Sequence, residues 1–171
     1  MKIVKNRLVM IKDKEVEYDY LKSTESVYSF LKEKVELHKE PEEVVVMLAL
    51  DNKLNIVSYS DVARGDISKS LLNPREIFKR ALVSNAKSII IAHNHTSGDV
   101  KPSMEDIAVT KAIKEAGDII GIKLLDHLIV GEKEYYSFFE NDTSLIDNYE
   151  ASRHFIVTEK RRKKENMKER K

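Results

Sequence analysis

The stretch Ser88-Ile89-Ile90-Ile91-Ala92-His93-Asn94-His95 runs directly from an apolar segment into two histidines. An apolar run this short predicts a strand covered on both faces. In extended backbone, residues i and i+2 point to the same side, so His93 and His95 are predicted to share a face at the strand's end. A polar loop over 96–102 follows. Ser103-Met104-Glu105-Asp106 then reads as a helix start, with the helix reaching Ala116 and Gly117 as its stop. Asp106 lies in the first turn, eleven residues after His95, and the loop is long enough to fold the helix start back over the strand end.

Working outward, Glu43 to Leu50 is a second near-continuous apolar run and predicts another buried strand, with 54–60 as its hairpin partner across the turn Asp51-Asn52-Lys53. Residues 61–72 read as a loop. Asn73-Pro74-Arg75-Glu76 predicts a helix to about Asn85, with Asn73 as cap, Pro74 at the first position and Glu76 closing a capping box. A helix capped by Ser23 or Thr24 is predicted to run to about His38 and to end before Pro41. Residues 122–130 and 135–139 predict a hairpin, and residues 1–22 two short strands. Alternating strands and helices point to one α/β domain with a mixed sheet over 23–150.

Charge is unevenly spread. Residues 159–171 carry eight Lys/Arg against three Glu, so the rest of this 171-residue chain is mildly acidic although its net charge is +1. The segment 151–171 has little to bury and is expected to be a frayed helix or disordered. The absence of cysteine excludes disulfides, thiolate metal sites and cysteine nucleophiles. No signal-like or membrane-length apolar run is present, and a cytoplasmic location is expected.

Two neutral imidazoles and one carboxylate give three protein ligands for one zinc ion. A tetrahedral ion so held keeps a fourth position open, which is the pattern of catalytic rather than structural zinc. Water at that position ionises near neutral pH, and a nearby carboxylate is still needed to move a proton. The Ser103 hydroxyl is placed to bond the water or a developing oxyanion. Singly, each residue has an ordinary explanation: polar strand end, helix cap, or acid complementing the helix dipole. Together, His93, His95, Ser103 and Asp106 form H-x-H-x7-S-x2-D directly after a buried strand.

This pattern resembles the JAMM (JAB/MPN) metalloprotease motif, and more closely the RadC-like family. The resemblance covers about residues 23–140. It rests on Asn73-Pro74-Arg75-Glu76-Ile77-Phe78, Ala81-Leu82, the segment His93 to Asp99, Pro102-Ser103, Asp106, Leu125 to Gly131 and Tyr136-Ser137-Phe138. It implies an α/β JAB/MPN domain, a mixed β-sheet flanked by helices and shaped like the cytidine deaminases. It also implies an upstream glutamate as general base, which selects Glu43, with Glu42 as the alternative on the opposite face. Thr96 stands where the family usually has proline. The helix-hairpin-helix region of longer members is absent, so a short form is expected. His127 is read as a structural histidine, with support of the metal ligands as the alternative.

Three functions compete at this point. The first is a zinc-dependent metallopeptidase acting on a peptide or protein conjugate through an amide or isopeptide bond. The second is a DNA-repair or mobile-element protein reaching nucleic acid through the basic tail, although no aromatic residues are interleaved there to stack on bases. The third is a zinc-binding interaction module without catalysis. A zinc deaminase is excluded because its ligand set needs cysteine.

Overall fold

A computed structural model describes residues 13–18, 21, 23–65 and 72–141. Five strands form one sheet in the order β2-β1-β3-β4-β5, with β1 at Val44–Leu50, β2 at Ile56–Arg64, β3 at Ser88–His93, β4 at Lys123–Val130 and β5 at Tyr135–Ser137. Only the β3–β4 pair is parallel, joined by the long helix α3 (Met104–Ile120). Helix α1 (Thr24–Glu33) covers one face of the sheet, and α2 (Pro74–Val83) lies with α3 on the other.

This layering explains why β1 and β3 read as continuous apolar runs. Val44, Val46, Leu48 and Leu50 pack with Val27, Phe30 and Leu31 of α1. The alternate residues Val45, Met47 and Ala49 pack with Ile77 and Phe78 of α2 and with Val109 and Ile113 of α3. In β3, Ile90 and Ala92 face α1, while Ile89 and Ile91 face α2 and α3. By strand alternation His93 belongs to the second face, beneath the start of α3. The predicted α/β class and mixed sheet are therefore what the chain forms.

Several element boundaries differ from the sequence expectation. Helix α1 ends at Glu33 rather than His38. Glu36 takes a left-handed φ of 59° and a short 3-10 turn covers Leu37–Lys39. The break turns Leu37 into the core, where it is fully buried, and leaves His38 at the edge. Strand β2 continues through 61–64, expected as loop, because irregularities in its register let it pair with β1 as far as Val44 opposite Arg64. Asn73 does cap α2, but Glu76 pairs with Lys79 and Arg80 instead of closing a capping box.

Helix α3 passes Gly117 and ends at Gly121, which takes the left-handed cap with φ 81°. Gly117 serves packing instead: a Cβ there would sit 2.5 Å from the Ile122 carbonyl oxygen and 3.1 Å from Phe78. Strand β5 stops at Ser137, whose hydroxyl accepts the Glu140 N–H and starts the short helix α4 (Phe138–Asn141). Of the expected N-terminal strands, residues 13–18 form neither strand nor helix. Leu21 also lies in no strand, and the remainder of that expectation, with the tail 151–171, lies outside the described residues. No described helix is long and apolar enough to cross a membrane.

Candidate metal centre

The end of β3 and the start of α3 bring the predicted ligands together. Ligand atoms of His93, His95 and Asp106 all lie within 4.8 Å of one another. The two Nε2 atoms of His93 and His95 are 3.0 Å apart. Asp106 Oδ1 is 3.2 Å from His93 Nε2, and Asp106 Oδ2 is 3.4 Å from His95 Nε2. Ligand atoms bonded at about 2.0–2.1 Å to a tetrahedral zinc stand roughly 3.3 Å from each other. The two imidazole nitrogens and the Asp106 carboxylate thus stand near the spacing of such a site, with Oδ1 toward His93 and Oδ2 toward His95.

The donor chemistry agrees. His95 Nδ1 is 2.6 Å from the Asp99 carbonyl oxygen, which can only accept, so in the neutral ring the proton sits on Nδ1 and Nε2 presents a lone pair. That lone pair faces a second imidazole nitrogen and a carboxylate. Such a cluster of acceptors is stable only around a cation, a proton or a metal ion. The residues present fit zinc.

Helix α3 aims Asp106 through its own cap. The Ser103 hydroxyl accepts the Asp106 N–H at 3.1 Å, and Asp106 Oδ2 accepts both the Ser103 N–H at 2.8 Å and the Ser103 hydroxyl at 2.6 Å. The predicted helix start is therefore real and also orients the carboxylate. Burial alone would raise the Asp106 pKa, but hydrogen bonds with His93 and His95 overcome it and hold the group well below the usual carboxylate range. The hydrogen bond with Asp106 in turn raises the His95 pKa against the opposing effect of burial, with a smaller contribution from the charge of Glu43.

The neighbouring glutamates separate clearly. Glu42 is exposed and pairs with Arg64 at 3.4 Å. Glu43 is half-buried, immediately precedes β1, and is the one whose charge reaches His95. Its backbone is fixed at both ends. The Glu43 carbonyl accepts the Gly65 N–H at 2.8 Å, and Asn94 clamps the segment around it. Asn94 accepts the Val44 N–H at 2.8 Å and donates to the carbonyls of Glu40 and Glu42 at 3.2 and 3.0 Å.

Sequence reasoning passed over Asn94, although strand alternation between two histidines already sends it to the opposite face. It also passed over Thr110, and it read His127 as a structural histidine with support of the metal ligands as the alternative. His127 is buried, 2.9 Å from His93 Nδ1 and 2.6 Å from Thr110 Oγ1. Burial, followed by the charge of His93, pushes its pKa well below the usual imidazole value.

The fold is a buried α/β sheet with a His-His-Asp cluster at one strand end that could hold a metal ion. Residues 21–143 match the RadC-like JAB domain, and the chain belongs to that family. Similar proteins bear the name "UPF0758 protein", which states no activity. One from Thermotoga maritima is 41% identical over 120 residues, covering 70% of this chain and 53% of that protein. One from Clostridium beijerinckii is 47% identical over 105 residues, covering 61% and 46%. One from Methanococcoides burtonii is 42% identical over 121 residues, covering 70% and 52%. The chain spans about half the length of these relatives.

Proposed function

We propose that this chain is a JAMM-type zinc-dependent hydrolase that cleaves an amide or isopeptide bond with water. The observation that carries the reading is the convergence of His93, His95 and Asp106 beside Glu43. When bound there, one zinc ion supplies Lewis acidity and lets water ionise near neutral pH. His93 and His95 present Nε2 and Asp106 its carboxylate to hold the ion.

Glu43 is the proposed general base. Its carboxylate accepts a proton from the attacking water and returns it to the departing nitrogen, so that hydroxyl ends on the acyl carbon and hydrogen on the amine. Asn94 fixes the backbone on either side of Glu43. Ser103 orients Asp106, and its hydroxyl reaches a developing oxyanion only by leaving Asp106 Oδ2. The proposed substrate is a peptide or a protein conjugate. The nucleic-acid reading rests on the basic tail, outside the described residues.

The test is cleavage of linear and isopeptide-linked fluorogenic libraries by zinc-loaded wild type and Glu43→Gln, with metal content measured in both. The expected result is cleavage by wild type, a loss of roughly 10²–10⁴-fold in Glu43→Gln, and unchanged zinc. Equal cleavage by both proteins would remove Glu43 from the chemistry. Zinc binding without cleavage of either library would favour the non-enzymatic module.

A further inference from the structure

We propose that Thr110 and His127 are positioning residues for the metal, forming a hydrogen-bond relay that fixes the tautomer of His93 and turns its Nε2 lone pair toward the site. The inference rests on the metal reading above and extends it to residues outside the motif.

The direction of each bond follows from proton counting. Thr110 Oγ1 is 2.6 Å from the Asp106 carbonyl oxygen and 2.6 Å from His127 Nδ1. A carbonyl oxygen only accepts, and a hydroxyl has one hydrogen, so Thr110 donates to Asp106. Thr110 Oγ1 must then accept from His127, which places the ring proton on Nδ1. His127 is 1% exposed and sits between Thr110, His93 and the stacked ring of Phe138, with no carboxylate bonded to its ring. The neutral ring with its proton on Nδ1 has a bare Nε2.

That bare Nε2 is 2.9 Å from His93 Nδ1. His93 must donate there, and a neutral His93 that donates from Nδ1 has its lone pair on Nε2, the atom beside Asp106 and His95. The relay therefore runs from His93 through His127 and Thr110 to the main chain of Asp106. Helix α3 supplies one ligand with a side chain and sets another with the carbonyl of the same residue. His95 reaches the same protonation pattern by a single bond to the Asp99 carbonyl in the 96–102 loop. The reverse tautomer at His127 would hand a proton to His93 Nδ1, move the His93 proton to Nε2, and block the ligand atom.

The experiment has two readouts. The first is zinc affinity by chelator competition for wild type, Thr110→Val and Thr110→Ser, with folding checked by circular dichroism. Thr110→Val keeps the shape and removes the hydroxyl, whereas Thr110→Ser keeps the hydroxyl. The second is the His127 tautomer in wild type, read from long-range ¹H–¹⁵N correlations of zinc-free and zinc-loaded protein. The relay requires roughly 10–100-fold weaker zinc binding in Thr110→Val, near-complete recovery in Thr110→Ser, and a His127 proton on Nδ1 in both wild-type states.

A His127 proton on Nε2, or a folded Thr110→Val with wild-type zinc affinity, would overturn the relay. Should Thr110→Val fail to fold, Thr110→Ser and the wild-type tautomer still decide. A wild type with no affinity for zinc but with the His127 proton on Nδ1 would overturn the metal reading, and with it the positioning role, while leaving the hydrogen-bond directions intact.

Discussion

Asp106 and Asp126 are each 5% exposed, although Asp126 lies deeper in the surrounding protein; Asp106 accepts a serine hydroxyl and one backbone N–H, and Asp126 a serine hydroxyl and two. Asp106 faces two imidazoles, which hold it well below the usual carboxylate range despite burial. Among the described residues Asp126 has no cationic partner. Its partners are the Ser137 hydroxyl at 2.7 Å and the N–H groups of His127 and Phe139 at 2.7 and 3.0 Å, and burial pushes it up to about 7 against them. One carboxylate is paired with ring nitrogens at a strand end. The other ties β4 to the β5–α4 corner. Serine and backbone hydrogen bonds are common to both, so depth of burial and the neighbour across the carboxylate together separate the proposed metal ligand from a structural brace.

The largest expected effect follows directly. Asp106→Asn should abolish stoichiometric zinc binding while Asp126→Asn retains it, as measured by elemental analysis of folded proteins. Zinc loss in both variants would mean that Asp126 supports the site through the sheet, and the contrast would collapse.

A second effect concerns pH. The folded Asp126 carboxyl keeps its proton up to about pH 7, whereas an unfolded chain loses it at about 3.9. Between those values the folded state holds the extra proton, so rising pH removes stability, and the loss is complete above the upper value. In urea titrations, the stability of Asp126→Asn relative to wild type should therefore rise by a few kcal/mol from about pH 4 to about pH 7 and then level off. The opposite slope would show that the three hydrogen bonds outweigh burial.

Smaller effects separate the two serines. Ser137→Ala leaves a buried carboxylate oxygen without its donor and should cost about 1–3 kcal/mol with zinc affinity unchanged. Ser103→Ala removes a helix cap and should cost about 1 kcal/mol. It should also weaken zinc binding roughly 10-fold, because the serine orients a ligand. Matching zinc affinities in the two serine variants would break the comparison at its second layer.

Much of this was legible in the sequence because the signals are local. Two faces of β1 are both covered, so it reads apolar throughout; His93 and His95 share a face by strand alternation; Ser103 and Asp106 stand at capping-box spacing. The same local logic failed at α2, where Glu76 has the right spacing but finds Lys79 and Arg80 one turn on. It failed again at Gly117, which reads as a helix stop. There glycine answers to Phe78 and Ile122, close neighbours that no helix-end pattern encodes. Thr110, and the choice between the two readings of His127, stayed hidden for a related reason. Their role depends on α3 crossing the β3–β4 seam, and a threonine inside a helix carries no motif of its own. The preference for Glu43 over Glu42 came from family resemblance, and in the structure it corresponds to Arg64 engaging Glu42.

The most direct test of the central claim is the zinc content of metal-replete wild type beside His95→Ala and Asp106→Ala, each confirmed as folded. A metal site at these residues gives about one zinc per chain in wild type and none retained in either variant. A folded wild type that takes up no metal after zinc is supplied, or variants that keep it, would contradict the assignment of His93, His95 and Asp106 as a metal site.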